Sequence, residues 1–150
     1  MKYVLLARPS SLIVKDMKHL ISSAGCKPVP LSSTEEFQNY SEKDVAGIVV
    51  STALSSKVSE KYWEVVSKAA EHYAEKPLFL ASYSSVKTTK ITANQRLGEN
   101  GIEHELVSLE EAEEASFNPK KQILILTQKE ISDEERFPKI LQCVKKVLSS

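Results

Sequence analysis

Several hydroxyls and one guanidinium are the chemistry-bearing feature of this chain. Arg8, Ser10 and Ser11 follow the first apolar run, Ser51 and Thr52 end the third, and Ser82 ends the fourth, with Ser84 and Ser85 just beyond. A cation, neutral donors and the start of a helix can together hold an anion. The Arg8-Pro9 pair offers a hard divalent cation nothing, because a guanidinium only donates and proline has no side-chain ligand. The same residues also have ordinary structural uses. Ser10 or Ser11 can cap a helix, at about 1 kcal/mol, Ser51 and Ser82 can bond to backbone groups at strand ends, and Arg8 can pair with a carboxylate.

Other chemistries lack their residues. The chain has no Gly-x-Gly-x-x-Gly and no P-loop sequence to cradle a nucleotide phosphate, and no Gly-x-Ser-x-Gly elbow for a serine hydrolase. Cys26 and Cys143 form neither a Cys-x-x-Cys pair nor a metal-spaced set with His19, His72 or His104. No catalytic residue, metal or cofactor is therefore assigned. Twenty basic and twenty acidic side chains cancel, so no bulk field draws the protein to nucleic acid or to an anionic membrane. The apolar run after Met1 is too short for a membrane span or a signal-peptide core, and the expected location is cytoplasmic. A chain of 150 residues, 41% of them hydrophobic, suits one domain with its own core, residues 1–150.

Short apolar runs alternate with segments of helical period, the pattern of an α/β fold with a mainly parallel sheet. Strands are predicted at Lys2 to Ala7, Lys27 to Leu31, Ala46 to Ser51, Leu78 to Ser82, His104 to Ser108 and Gln122 to Thr127. Leu12, Ile13, Met17, Leu20, Ile21 and Ala24 make one apolar stripe from about Ser11 to Ala24, closed by Gly25. Ser33-Thr34-Glu35-Glu36 has the capping-box pattern for a short second helix. A third helix is expected from about Ser56 to Glu75, with Trp63 beside its core stripe. Lys87 to Leu97 is polar and reads as a weakly buried helix or a loop. The acidic run Glu110 to Glu114 reads as a solvated helix face. A last helix ends near Leu148, with Ser132 and Glu135 as its expected cap unless Pro138 delays its regular part by a turn.

The first 85 residues resemble a response-regulator receiver domain. Tyr3 to Ile13 is similar to the family's opening strand, turn and helix. Leu20-Ile21-Ser22-Ser23-Ala24-Gly25-Cys26-Lys27-Pro28-Val29 looks like the end of that helix and the second strand, and Pro77-Leu78-Phe79-Leu80-Ala81-Ser82 like the fourth strand. The resemblance implies a three-layer flavodoxin-like sandwich with a mainly parallel sheet of five to six strands, order 2-1-3-4-5(-6). It also implies that Arg8-Pro9 stands where the family has its Mg²⁺-holding acids, and Ser51 or Thr52 where it has its phosphoacceptor aspartate. Ser82 matches by type the hydroxyl that contacts the phosphoryl group.

Beyond residue 85 two alignments compete for the fifth strand. One uses Gly101 to Leu109 and puts Ser108 at the family's lysine. The other uses Ile125 to Lys129, with Lys129 displaced from that lysine by one residue. If both segments pair in chain order, Lys129 lies one strand further out, by about 4.8 Å. Six strands are favoured, Lys129 takes no receiver role, and residues from about 100 to 150 extend the standard domain. The implied function is a non-catalytic regulatory or protein-interaction module, a degenerate receiver. It would meet a protein partner or a second copy through the region around Lys87 to Ser108. The alternative is an anion or small-molecule sensor at the rim of Arg8, Ser10, Ser11, Ser51, Thr52 and Ser82.

Overall fold

Short, mainly apolar runs make the strands: β1 (Tyr3–Ala7), β2 (Lys27–Leu31), β3 (Val45–Ser51), β4 (Leu78–Ser82), β5 (Glu105–Val107) and β6 (Gln122–Thr127), with β3 and β4 buried on both faces and β2 and β5 partly exposed. In the computed structural model, which describes residues 2–7, 14–52 and 62–149, they form one parallel sheet in the order β2-β1-β3-β4-β6-β5. The helices are α1 (Val14–Ser23), α2 (Tyr62–His72), α3 (Val86–Glu99), α4 (Leu109–Glu114), α5 (Gln128–Ile131) and α6 (Phe137–Leu148). This is the expected flavodoxin-like α/β class. The last two strands, however, are not laid down in chain order, because β6 pairs with β4 and β5 lies outside it.

Side-chain alternation along each strand divides the core into two clusters. Val4 and Leu6, Phe79 and Ala81, and Leu124 and Leu126 face α1, α4, α5 and α6. Leu5 and Ala7, Leu78 and Leu80, and Ile123 and Ile125 face α2, α3 and the 3₁₀ segment Thr34–Asn39. The latter segment is the short second helix, with the capping box of Ser33 and Glu36 in place. Lys87 to Leu97 belongs to a regular helix of 14 residues, N-capped by Ser85, that buries Thr89, Ala93 and Leu97. The cap expected of Ser132 and Glu135 does not form. Ser132 Oγ instead donates to the Gln128 carbonyl, and α6 starts at Phe137 after Arg136 with Pro138 in its first turn. The expected starts of the first and third helices fall partly outside the described residues. No helix among the described residues is long and apolar enough to cross a membrane.

A register shift between β1 and β3 leaves Ala46 unpaired, so that Ala46 and Gly47 both look toward the α6 side. A Cβ added at Gly47 would lie 2.9 Å from Leu148 Cδ2 and 3.2 Å from both Phe79 Cε2 and the Pro77 carbonyl. Because one of these neighbours is backbone, repacking a side chain alone cannot make room. Gly47→Ala is expected to cost about 1–3 kcal/mol of stability, read from chemical denaturation.

On the other face, the buried Tyr73 hydroxyl shares its proton between the carbonyls of Phe37 at 3.0 Å and Tyr40 at 2.8 Å, tying the 3₁₀ segment to the end of α2. Burial, helped by Tyr40, pushes the Tyr73 phenol up to about 12. The native state therefore holds this proton more tightly than the unfolded chain does, so the stabilisation is complete below pH 10 and lost as pH rises toward 12. Tyr73→Phe should flatten that alkaline loss and, by leaving two carbonyls without their donor, cost about 1–3 kcal/mol at neutral pH; urea titrations across the alkaline range measure both.

Candidate functional site

Parallel register brings the C-terminal ends of β3, β4 and β6 side by side, pairing Ser51 with Ala81 and Ser82 with Thr127. The chain leaves β4 for α3 on one face and β6 for α5 on the other, and open α/β sheets bind ligands at such crevices. Ser51, Ser82 and Thr127 are all buried, and Thr52 is half-buried with its N–H donating to the Ala81 carbonyl at 2.9 Å. Arg8, Ser10 and Ser11 lie outside the described residues. Ser84 and Ser85 sit on the exposed turn that leads into α3.

The Ser82 hydroxyl has a fixed set of partners. Thr89 Oγ1 lies 2.8 Å from Ser82 Oγ and 2.8 Å from the Ser85 carbonyl, which can only accept. The Thr89 proton therefore goes to Ser85, and Ser82 must donate its own proton to Thr89. Ser82 Oγ in turn accepts from the Ser84 N–H at 3.1 Å. Ser85 Oγ accepts from the Thr88 N–H at 3.2 Å and caps α3. These bonds close the β4–α3 turn. Ser82 has no second proton with which to meet an anion, and among the described residues its proton goes to a hydroxyl rather than to a base.

Thr127, Gln128, Glu130 and Asp16 are the rim residues that sequence reasoning missed. Thr127 and Glu130 form a capping box at α5, where the Glu130 carboxylate accepts from Thr127 Oγ1 at 2.7 Å and from its N–H at 3.2 Å. Arg136 pairs with the other Glu130 oxygen at 3.7 Å. Gln128 Nε2 donates to Asp16 Oδ2 at 2.7 Å and so joins α5 to α1, while its Oε1 is buried with no partner among the described residues. The signal Thr-x-x-Glu after an apolar run was legible. Its position beside Ser82 required the strand order.

That order also places the two competing residues. Lys129 follows the strand next to β4 and is exposed, not one strand further out as chain-order pairing would have it. Ser108 is the one further out, capping α4 in a box with Glu111. Glu111 also meets Lys90 of α3, and these bonds hold its carboxyl below the usual range. Among the described residues, no group of three or more His, Cys, Asp and Glu is placed to hold a metal. A groove of about 650 Å³ lies at the opposite end of the sheet, bordered by Glu71, Gly101, His104, Lys120 and Lys121. Burial pulls His104 down there, and the groove has no part in the rim.

Structural comparison finds the same overall fold in solved proteins. The chain superposes on the receiver domain of the sensor histidine kinase PA1611 from Pseudomonas aeruginosa PAO1, solved with a magnesium ion coordinated in its active-site cleft, with a TM-score of 0.59, 8% identity and coverage of 99% and 98% of the two chains. It matches a response regulator from Thermotoga maritima with a TM-score of 0.59, 12% identity and 100% and 99% coverage. The chemotaxis protein CheY4 of Vibrio cholerae gives a TM-score of 0.57, 12% identity and 98% coverage of each chain. The chain has the receiver fold. Neither a family model nor a curated protein matches the sequence.

Within this receiver fold, the bonds around Ser82 predict a structural role. Ser82→Ala and Thr89→Val should each cost about 1–3 kcal/mol, since each strands buried polar groups. The double variant should cost less than the sum. Thermal and urea denaturation of the three variants provide the measurement; two independent, additive losses would show that the hydroxyls do not act on one another.

Proposed function

We propose that this chain is a regulatory, protein-interaction module: a pseudo-receiver that acts without aspartyl phosphorylation and docks through α3 and the strand that follows it. The observation that carries the reading is the state of the strand ends. Aspartyl phosphotransfer needs a carboxylate nucleophile and a metal held by carboxylates. β3 ends at Ser51 and Thr52, β4 at Ser82 and β6 at Thr127, while in sequence β1 runs into Arg8 and Pro9. Two described carboxylates at this end of the sheet, Glu130 and Asp16, are engaged in capping and in the α1–α5 bond.

The α3 surface supports the docking half of the reading. Ile91 is 64% exposed and Tyr83, on the turn before α3, is 40% exposed. Residues 1–150 act on this reading as one cytoplasmic domain, with the segment from about 100 to 150 supplying the outer strand and its helix. Anion sensing by Arg8, Ser10, Ser11, Ser51, Thr52 and Ser82 draws less support, because the Ser82 proton is already donated to Thr89.

Incubation with acetyl phosphate or beryllofluoride in excess Mg²⁺ tests the proposal. The expected result is an unchanged intact mass and an unchanged amide NMR spectrum. A phosphoryl adduct, or shifts centred on the ends of β3 and β4, would restore an ordinary receiver mechanism and overturn the reading.

A further inference from the structure

We infer that the free edge of β5 takes up an extended segment of a partner protein as an added strand, and that the segment it fits carries basic side chains at alternate positions. The inference rests on the reading that the chain docks through α3 and the strand after it, and says how that strand does so.

A sheet edge is a row of backbone donors and acceptors without partners. The two edges of this sheet are finished differently. At β2 the Lys27 N–H donates to the Lys2 carbonyl at 3.0 Å, so strand alternation turns Lys27, Val29 and Leu31 toward β1 and leaves the backbone of Pro28 and Pro30 facing outward. Neither proline has an N–H, and this edge offers carbonyls but no donors. At β5 the Glu105 N–H donates to the Lys121 carbonyl at 2.8 Å. The same alternation turns Glu105 and Val107 toward β6 and sends both backbone groups of Leu106 outward. His104, just before β5, continues that side, and its N–H has no partner among the described residues. Ser108 ends the row, because its N–H is taken by the Glu111 carboxylate at 3.1 Å, which also meets Lys90 of α3. The open stretch therefore runs from His104 to Leu106 and has a fixed end.

Charge selects the occupant. Glu103 and Glu105 are exposed and two residues apart, so they lean to one face of the strand. Neither has a side-chain partner among the described residues, and nor does Glu71 of α2, which borders the groove running past Gly101 to Glu105. Lys120 at the same groove is paired with Glu75 at 3.2 Å, which leaves Lys121 to oppose three carboxylates. A strand laid along β5 with Lys or Arg at alternate positions sets its cations beside Glu103 and Glu105. Opposite charges across neighbouring strands stabilise the pairing and like charges oppose it. A second β5 would bring the same carboxylates to the edge, so the partner is a different chain. Backbone bonds supply the affinity of such an added strand and its side chains the specificity. The edge is short, so binding should be weak and should fall as salt rises.

Amide NMR of the full chain titrated with acetyl-Lys-Thr-Lys-Val-Lys-Thr-Lys-amide is the test, with amide hydrogen exchange as a second readout. In the free chain the Leu106 amide should exchange faster than those of Glu105 and Val107. The peptide should shift resonances centred on His104 to Leu106 and slow exchange at Leu106. Its counterpart with Glu in place of each Lys should not bind. The basic peptide N-methylated at every residue keeps its charge and should also fail, which separates strand pairing from simple attraction. Glu103→Lys/Glu105→Lys changes two exposed positions; it should keep the fold by circular dichroism, weaken the basic peptide about tenfold and take up the acidic one instead. No binding of the basic peptide, equal binding of its N-methylated form, or shifts centred on Ile91 and Tyr83 with Leu106 still exchanging freely overturns strand addition. The last of these results keeps α3 as a docking surface. None of them alters the acetyl phosphate result, so failure here is distinguishable from loss of the pseudo-receiver reading.

Discussion

Right-handed crossover is the constraint from which the far half of the molecule follows. A right-twisted strand feeding a helix can return to the same sheet in essentially one hand. The chain moves outward from β4 to β5, which sets α3 on the face of α2, and then steps back inward to β6, which forces α4 onto the opposite face with α1 and α6. This reversal lets β6, apolar from Ile123 to Leu126, fill the interior position beside β4, where both of its faces are covered. The shorter β5, with its exposed Glu105, takes the edge. An apolar strand gains most from the position that removes most of its surface from water.

The same reversal organises the polar groups. With β6 beside β4, Thr127 stands opposite Ser82, and the α5 turn that follows can reach α1 through Gln128 and Asp16. Because α3 and α4 lie on opposite faces around the edge strand, Lys90 and Glu111 meet across that edge. The described hydrogen bonds of Ser82, Thr127 and Gln128 close the β4–α3 turn, cap α5 and tie α5 to α1.

Much of this was legible residue by residue. The six strands, the capping box at Ser33 and the stripe of α1 are local patterns, set by side-chain alternation, by the reach of one carboxylate over one turn and by helical period. Lys87 to Leu97 was harder to read, because a helix that buries Thr89, Ala93 and Leu97 presents almost no apolar contrast. The Ser132 and Glu135 cap failed for a related reason: the same short motif was better satisfied one turn earlier, where Thr127 and Glu130 close α5.

The sequence by itself determined the α/β class, the parallel sheet and the hydroxyl residues that end the third and fourth strands, since these depend on residue type and period alone. Only the tertiary structure decided that β6 lies inside β5 and that the Ser82 proton belongs to Thr89. The physical reason is range. Strand order is settled by competition for burial between segments some fifteen residues apart, and hydroxyl direction by where a third group accepts. Neither of these is written in the identity of a residue and its chain neighbours.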